Sequence, residues 1–134
     1  EGAGPAARAA RAAAGLCRTT GARLLVVTVV RPPEGWWGVV GSPPPAEALG
    51  DALAGAQRDV LDATVDDLDL EGVAHRTVEE IGDPAARLVA VCEREEADVL
   101  VVGRQGAGLL RRILLGSVAN RVAHEAPCPV LLIP

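Results

Sequence analysis

The sequence contains no lysine, methionine, phenylalanine or tyrosine; all 13 basic residues are arginine, and the only aromatics are two tryptophans. Without lysine there is no G-x-x-x-x-G-K-[ST] loop, so a Walker-type NTPase is excluded. Positive charge is scarce overall. The net charge of −5 and an isoelectric point near 5.0 argue against binding to nucleic acid or an anionic membrane, both of which call for a basic face. Any anion site must therefore be local. Cysteine is limited to Cys17, Cys92 and Cys128, far apart and without a C-x-x-C pair, which suggests neither a disulfide framework nor a zinc knuckle. No apolar run approaches the ~20 residues of a membrane span, and no signal-peptide pattern is present. The expectation is a soluble, cytoplasmic protein with reduced thiols.

What is present fits one domain: 134 residues, 49% of them hydrophobic, are enough to fill a single core, so residues 1–134 are read as one unit. Pro5 to Gly21 is alanine-rich, with a proline suited to a first turn and a glycine suited to a stop, and reads as a helix. Residues 22–30, ARLLVVTVV, form the short valine-rich run of a strand covered on both faces. A stretch punctuated by Pro, Gly and Ser follows, with Trp36-Trp37 inside it. Its length of ~15 residues is long for a loop of a compact domain. Residues 46–69 place Leu49, Leu53, Ala56, Val60, Ala63 and Leu68 near one face and acidic residues opposite, an amphipathic helix.

The run VAHRTVEE alternates loosely as a strand. It leads to Gly82-Asp83-Pro84, where Asp83 caps a helix with Pro84 at its first position and Leu88, Val89, Val91 and Cys92 facing inward. A second buried-type strand, VLVVG, then precedes a glycine-rich connection, a helix from Ser117 to about Glu125, and a last strand, PVLLI. The order α-β-α-β-α-β-α-β predicts an α/β fold with a parallel, doubly wound sheet and helices on both faces.

In such sheets ligands bind beyond the carboxyl ends of the strands. Val99 to Val102 deliver Gly103 to that edge, where Gly103 and Gly106 permit backbone conformations or close approaches that let N–H groups converge on an anion. Gly116-Ser117 offers a second anion site, with Ser117 as the expected N-cap and the positive end of the helix dipole behind it. A dinucleotide G-x-G-x-x-G signal fails, because Gly106-Ala107-Gly108 is followed by Arg111 where a third glycine is needed. His75 and His124 lack metal-like spacing, no nucleophile–base pair stands out, and Ser117 fits a cap and phosphate ligand better than a nucleophile.

The spacing Gly103-x-x-Gly106, nine residues, Gly116-Ser117 resembles the nucleotide-binding signature G-x(2)-G-x(9)-G-[ST] of the universal stress protein family. The alanine-rich first helix, the valine-rich strand, the long loop, the GDPA helix entry and the close APCPVLLIP extend the resemblance over most of the chain. It implies a Rossmann-like sheet of five parallel strands in the order 3-2-1-4-5. It also implies a stress-response module that binds ATP or a related adenine nucleotide (AMP, ADP or cAMP), with Mg2+ as a companion ion. Gly103 and Gly106 match the loop glycines beside ribose and phosphate, with Gln105 between them; Gly116, Ser117 and Val118 match the positions at the terminal phosphates. Val29 matches the residue flanking adenine and Val102 the one beneath the nucleoside. Arg104, Arg111 and Arg112 would add charge.

The family's first strand, which precedes the first helix, would lie ahead of Glu1-Gly2-Ala3-Gly4. A sheet without it leaves two neighbours with unpaired backbone groups, so either upstream residues or another segment must fill the slot. The resemblance further implies a homodimer through the C-terminal strand and a regulatory protein rather than an enzyme, with weak nucleotide hydrolysis at most. The alternative is a family member that binds no nucleotide and serves as a dimerising interaction domain.

Overall fold

The computed structural model describes residues 5–31, 68–104 and 116–134, together with positions 55, 58, 59, 62, 63, 65 and 66. Helix α1 (Pro5–Thr20) rests on its alanines, which lose no side-chain entropy on folding. Ala14 and Cys17 are buried in a cluster with Leu24 and Val73. Gly21 stops the helix at φ +77°, a left-handed conformation that favours glycine, with its N–H on the Cys17 carbonyl at 2.8 Å.

Strand β1 (Leu24–Val30) follows and pairs in parallel with β2 (His75–Ile81), in a register running from Leu24 opposite His75 to Val30 opposite Ile81. The described positions between 55 and 66 are helical, within the segment expected to be a helix. Two details of that expectation change. Ala63 is exposed rather than inward, and Leu68 stands outside the helix. There the Asp69 carboxylate accepts the Glu71 N–H at 3.3 Å, starting the turn that leads the chain into β2.

Helix α2 (Pro84–Glu95) begins as its sequence dictates: Asp83 is extended, and its carboxylate accepts the Ala86 N–H at 3.0 Å, with proline in the first turn. Val91 and Cys92 are buried, while Leu88 and Val89 are half-buried. Strand β3 (Leu100–Gly103), helix α3 (Ser117–Glu125) and strand β4 (Val130–Ile133) complete the described elements, β3 and β4 pairing in parallel from Leu100 opposite Val130 to Gly103 opposite Ile133. Val122 of α3 is fully buried, and α3 packs against α2.

Among the described residues the strands form two parallel pairs, β1 with β2 and β3 with β4; β1 and β3 do not pair with each other. Helix α1 packs against β1, β3 and β4 and so spans both pairs. No helix among the described residues is long and apolar enough to cross a membrane.

Candidate functional site at the carboxyl edge

The carboxyl ends of the strands converge on the residues singled out by the sequence. Val29 is the penultimate residue of β1, half-buried and opposite Glu80. Val102 and Gly103 close β3 opposite Leu132 and Ile133, both half-buried. The Arg104 N–H extends that ladder onto the Ile133 carbonyl at 2.7 Å. The Gly116 N–H then donates to the Arg104 carbonyl at 2.9 Å. This bond brings the start of α3 directly against the end of β3, so Gly103 and Gly116-Ser117 share one edge. Gln105, Gly106, Arg111 and Arg112 lie outside the described residues, as do Trp36 and Trp37.

The cap of α3 is displaced by one residue from the sequence expectation. Gly116, not Ser117, is the N-cap: its backbone is extended, at φ −65° and ψ 158°, and its carbonyl accepts the Asn120 N–H at 2.8 Å. Ser117 is already the first helical residue and is exposed. Glycine carries no capping oxygen, and among the described residues no side chain caps this helix. The N–H groups of the first turn and the positive end of the helix dipole make an arrangement suited to an anion. Val118 follows as the second helical residue, half-buried. Gly103 lies in strand backbone, so its lack of a side chain matters for close approach of a ligand rather than for a turn.

Asp83 organises the neighbouring part of the edge. Besides capping α2, it accepts from Arg31, just past β1, at 2.8 Å and from Arg121 of α3 at 2.6 Å. The Ala86 N–H holds its carboxyl below the ordinary aspartate value, and Arg121 and Arg31 add to that effect. Gly82, at φ +141°, makes the turn between β2 and this cap and donates its N–H to the Val30 carbonyl at 2.9 Å. The sequence signalled Asp83 as a cap only. Its arginine partners are 52 and 38 residues away and carry no local signature.

His75 Nδ1 sits 3.1 Å from the Val73 carbonyl and His124 Nδ1 2.8 Å from the Asn120 carbonyl, local contacts to backbone two and four residues earlier. No group of three or more potential metal ligands occurs among the described residues. The chemistry available at this edge is thus hydrogen-bond donation and a positive helix end.

Parallel strands joined by helices, with a glycine-marked edge between a strand end and a helix start, define a doubly wound α/β module. The family model described as the universal stress protein family matches residues 2–134. A universal stress protein of Thermus aquaticus, from the 3' region of a QAH/OAS sulfhydrylase, is 35% identical over 134 residues, spanning 99% of this chain and 93% of the relative. The chain belongs to the universal stress protein family. Among solved structures, the universal stress protein UspA from Lactobacillus plantarum superposes with a TM-score of 0.71 at 22% identity, covering 94% of this chain and 87% of that one. A universal stress protein in complex with cAMP superposes with a TM-score of 0.63 at 22% identity, covering 99% and 90% respectively. Both share the fold.

Proposed function

We propose that this protein is a regulatory module that binds ATP or a related adenine nucleotide at the carboxyl edge and acts through its bound state. The observation that carries the reading is the Gly116–Arg104 hydrogen bond, which sets the uncapped start of α3 against Gly103 at the end of β3. Gly103 and Gly116-Ser117, the outer members of the G-x(2)-G-x(9)-G-S spacing, thereby lie at the edge where phosphates are bound in folds of this class. The cAMP complex of a structural relative supports an adenine nucleotide as the ligand.

In this reading Ser117 and Val118 hold phosphate through backbone N–H groups and the Ser117 hydroxyl, and Gly116, its own N–H on the Arg104 carbonyl, lets the phosphate approach the helix start. Gly103, Gln105 and Gly106 line the ribose and phosphate, and Val29 and Val102 flank the nucleoside. A bound Mg2+ would screen phosphate charge. The protein is a single cytoplasmic domain without a catalytic role, its sheet completed to five strands in the order 3-2-1-4-5. It forms a homodimer through β4, where Leu131 is 39% exposed and β3 is the one strand beside it among the described residues.

Denaturing the purified protein and analysing the released small molecules by mass spectrometry tests the ligand directly, with calorimetric titration of ATP, AMP and cAMP alongside. Recovery of an adenine nucleotide, or saturable binding, supports the reading. Absence of both from a folded sample overturns it in favour of a dimerising domain without nucleotide.

A further inference from the structure

Two of the three cysteines, far apart in the sequence, meet at the end of the sheet away from the candidate site. Cys92 lies in the last turn of α2. The end of that helix is fixed by the Glu96 N–H on the Glu93 carbonyl at 3.3 Å and the Ala97 N–H on the Cys92 carbonyl at 3.0 Å, with Glu96 left-handed at φ 54°. Strand β3 starts shortly after, where the Leu100 N–H reaches the Pro129 carbonyl at 2.9 Å. Cys128 immediately precedes that proline, in the connection from α3 to β4, and Pro127 and Pro129 on either side restrict the backbone there. Just before it, the Ala126 N–H on the Val122 carbonyl at 2.9 Å closes α3. Because β3 and β4 run parallel from Leu100 opposite Val130, the end of α2 and this connection share the amino edge of that pair.

The side chains complete what the backbone begins. The Cys92 and Cys128 thiols share a hydrogen bond, so a bond between their sulfurs needs no long approach of the backbone. Their surroundings differ. Cys92 is 4% exposed, whereas Cys128 is half-buried and open in part to solvent. Burial also raises the Cys92 thiol to about 11, with Cys128 adding to the effect, so Cys92 stays protonated and shielded from dissolved reagents. Cys17 stands apart, packed with Ala14, Leu24 and Val73.

We propose that Cys92 and Cys128 form a reversible oxidation site, in which Cys128 captures a small-molecule disulfide and Cys92 resolves it to an intramolecular Cys92–Cys128 bond. Cys128 Sγ, losing its proton, attacks one sulfur of the small disulfide, whose S–S bond breaks and releases one thiol. Cys92 Sγ, losing its proton in turn, attacks Cys128 Sγ and releases the second thiol. Two protein thiols are thus oxidised to one disulfide while the small disulfide is reduced to two thiols, on which both protons end. The new bond closes a loop of chain that holds β3, residues 103–117 and α3. It forms at the amino edge and is independent of nucleotide binding at the carboxyl edge.

Hydroxyethyl disulfide, a neutral reagent, tests this on the folded chain at about pH 8, with the remaining thiols trapped and the peptides mapped by mass spectrometry without reduction. Wild type should lose two of its three free thiols and yield a peptide pair joined through Cys92 and Cys128, with Cys17 still free. Dithiothreitol should restore all three. Cys92→Ala should instead stop with the hydroxyethylthio group on Cys128. In Cys128→Ala, Cys92 should react at least about tenfold more slowly than Cys128 does in wild type. A stable hydroxyethylthio adduct on wild-type Cys128 overturns the proposal, since thiols in contact resolve such an adduct, as does wild type that keeps all three thiols free. A bond to Cys17, a bond between the Cys128 residues of two chains, or a Cys92 that reacts as fast without Cys128 refutes it equally. Should either variant fail to fold, the wild-type peptide map and its time course decide the pairing and the order.

Discussion

Replacing Ser117 with alanine separates binding from stability, because the structure removes the cap that would have coupled them. A serine N-cap lost to alanine costs typically ~1 kcal/mol, a fall in Tm of about 3–5 °C for a domain of this size. Ser117, however, is the first helical residue, and Gly116 is the cap. Its hydroxyl caps no backbone N–H, the residue is exposed, and alanine is the better helix former. Stability should therefore stay within about 0.5 kcal/mol of wild type by thermal or urea unfolding. If the hydroxyl contacts a phosphate, its loss costs about 1.5–3 kcal/mol, or roughly tenfold to a hundredfold in affinity. Calorimetric titration at 25 °C, far from any unfolding, measures that loss. A Tm drop of several degrees would show that Ser117 caps α3 after all. Unchanged affinity in a wild type that binds nucleotide would remove the hydroxyl from the phosphate site.

Asp83→Asn should loosen the junction of β1, α2 and α3, seen as faster amide exchange at Gly82 and at the start of α2 and a lower Tm; retention of both would mean that the arginine pairs are idle. The lowered values of Asp83, held mainly by the Ala86 N–H, and of Glu95, held mainly by Arg76, give a pH dependence. Both carboxyls titrate lower folded than unfolded, so their contribution is complete above the ordinary carboxylate range of about 4 and fades as pH falls through the folded values. Acid unfolding of Asp83→Asn should accordingly be shallower than that of wild type. Burial, with Cys128 beside it, pushes the Cys92 thiol up to about 11. At pH 8 its thiolate fraction is about a hundredfold below that of an ordinary thiol at 9.0, so iodoacetamide should label native Cys92 correspondingly slowly, and labelling at the rate of an exposed thiol would contradict the burial.

The sequence was most legible where structure is decided locally. Asp83-Pro84 states its own cap and first turn within four residues, Gly21 states a stop, and the valine-rich runs state strands, although among the described residues only Leu24 of β1 and β3 is buried and the other positions are half-buried. The register of Gly116-Ser117 was less legible because both residues are good caps, and the choice falls to the hydrogen bond between Gly116 and Arg104 at the end of β3. The end of the helix before β2 was misjudged at Leu68, since hydrophobic spacing continues past the point where Asp69 turns the chain. The Arg31–Asp83–Arg121 junction was invisible, because nothing in a window around any of the three marks the other two. The site's strand and helix termini could thus be located from sequence, but not what ties them together.

That tie bears on ligand affinity, because the proposed site is divided between the two strand pairs. Val29 belongs to the β1–β2 pair, whereas Val102, Gly103, Gly116, Ser117 and Val118 belong to the β3–β4 side. A ligand touching both must find them at a fixed separation, which rests on α1, on the packing of α2 against α3 and on the Asp83 junction. If Asp83→Asn leaves the competent spacing populated to only roughly 1–10%, apparent affinity falls by the same fraction, about tenfold to a hundredfold. Titrating wild type and Asp83→Asn side by side with an adenine nucleotide measures the effect. Equal affinity of the two would mean that the ligand bridges nothing and sits on the β3–β4 half alone.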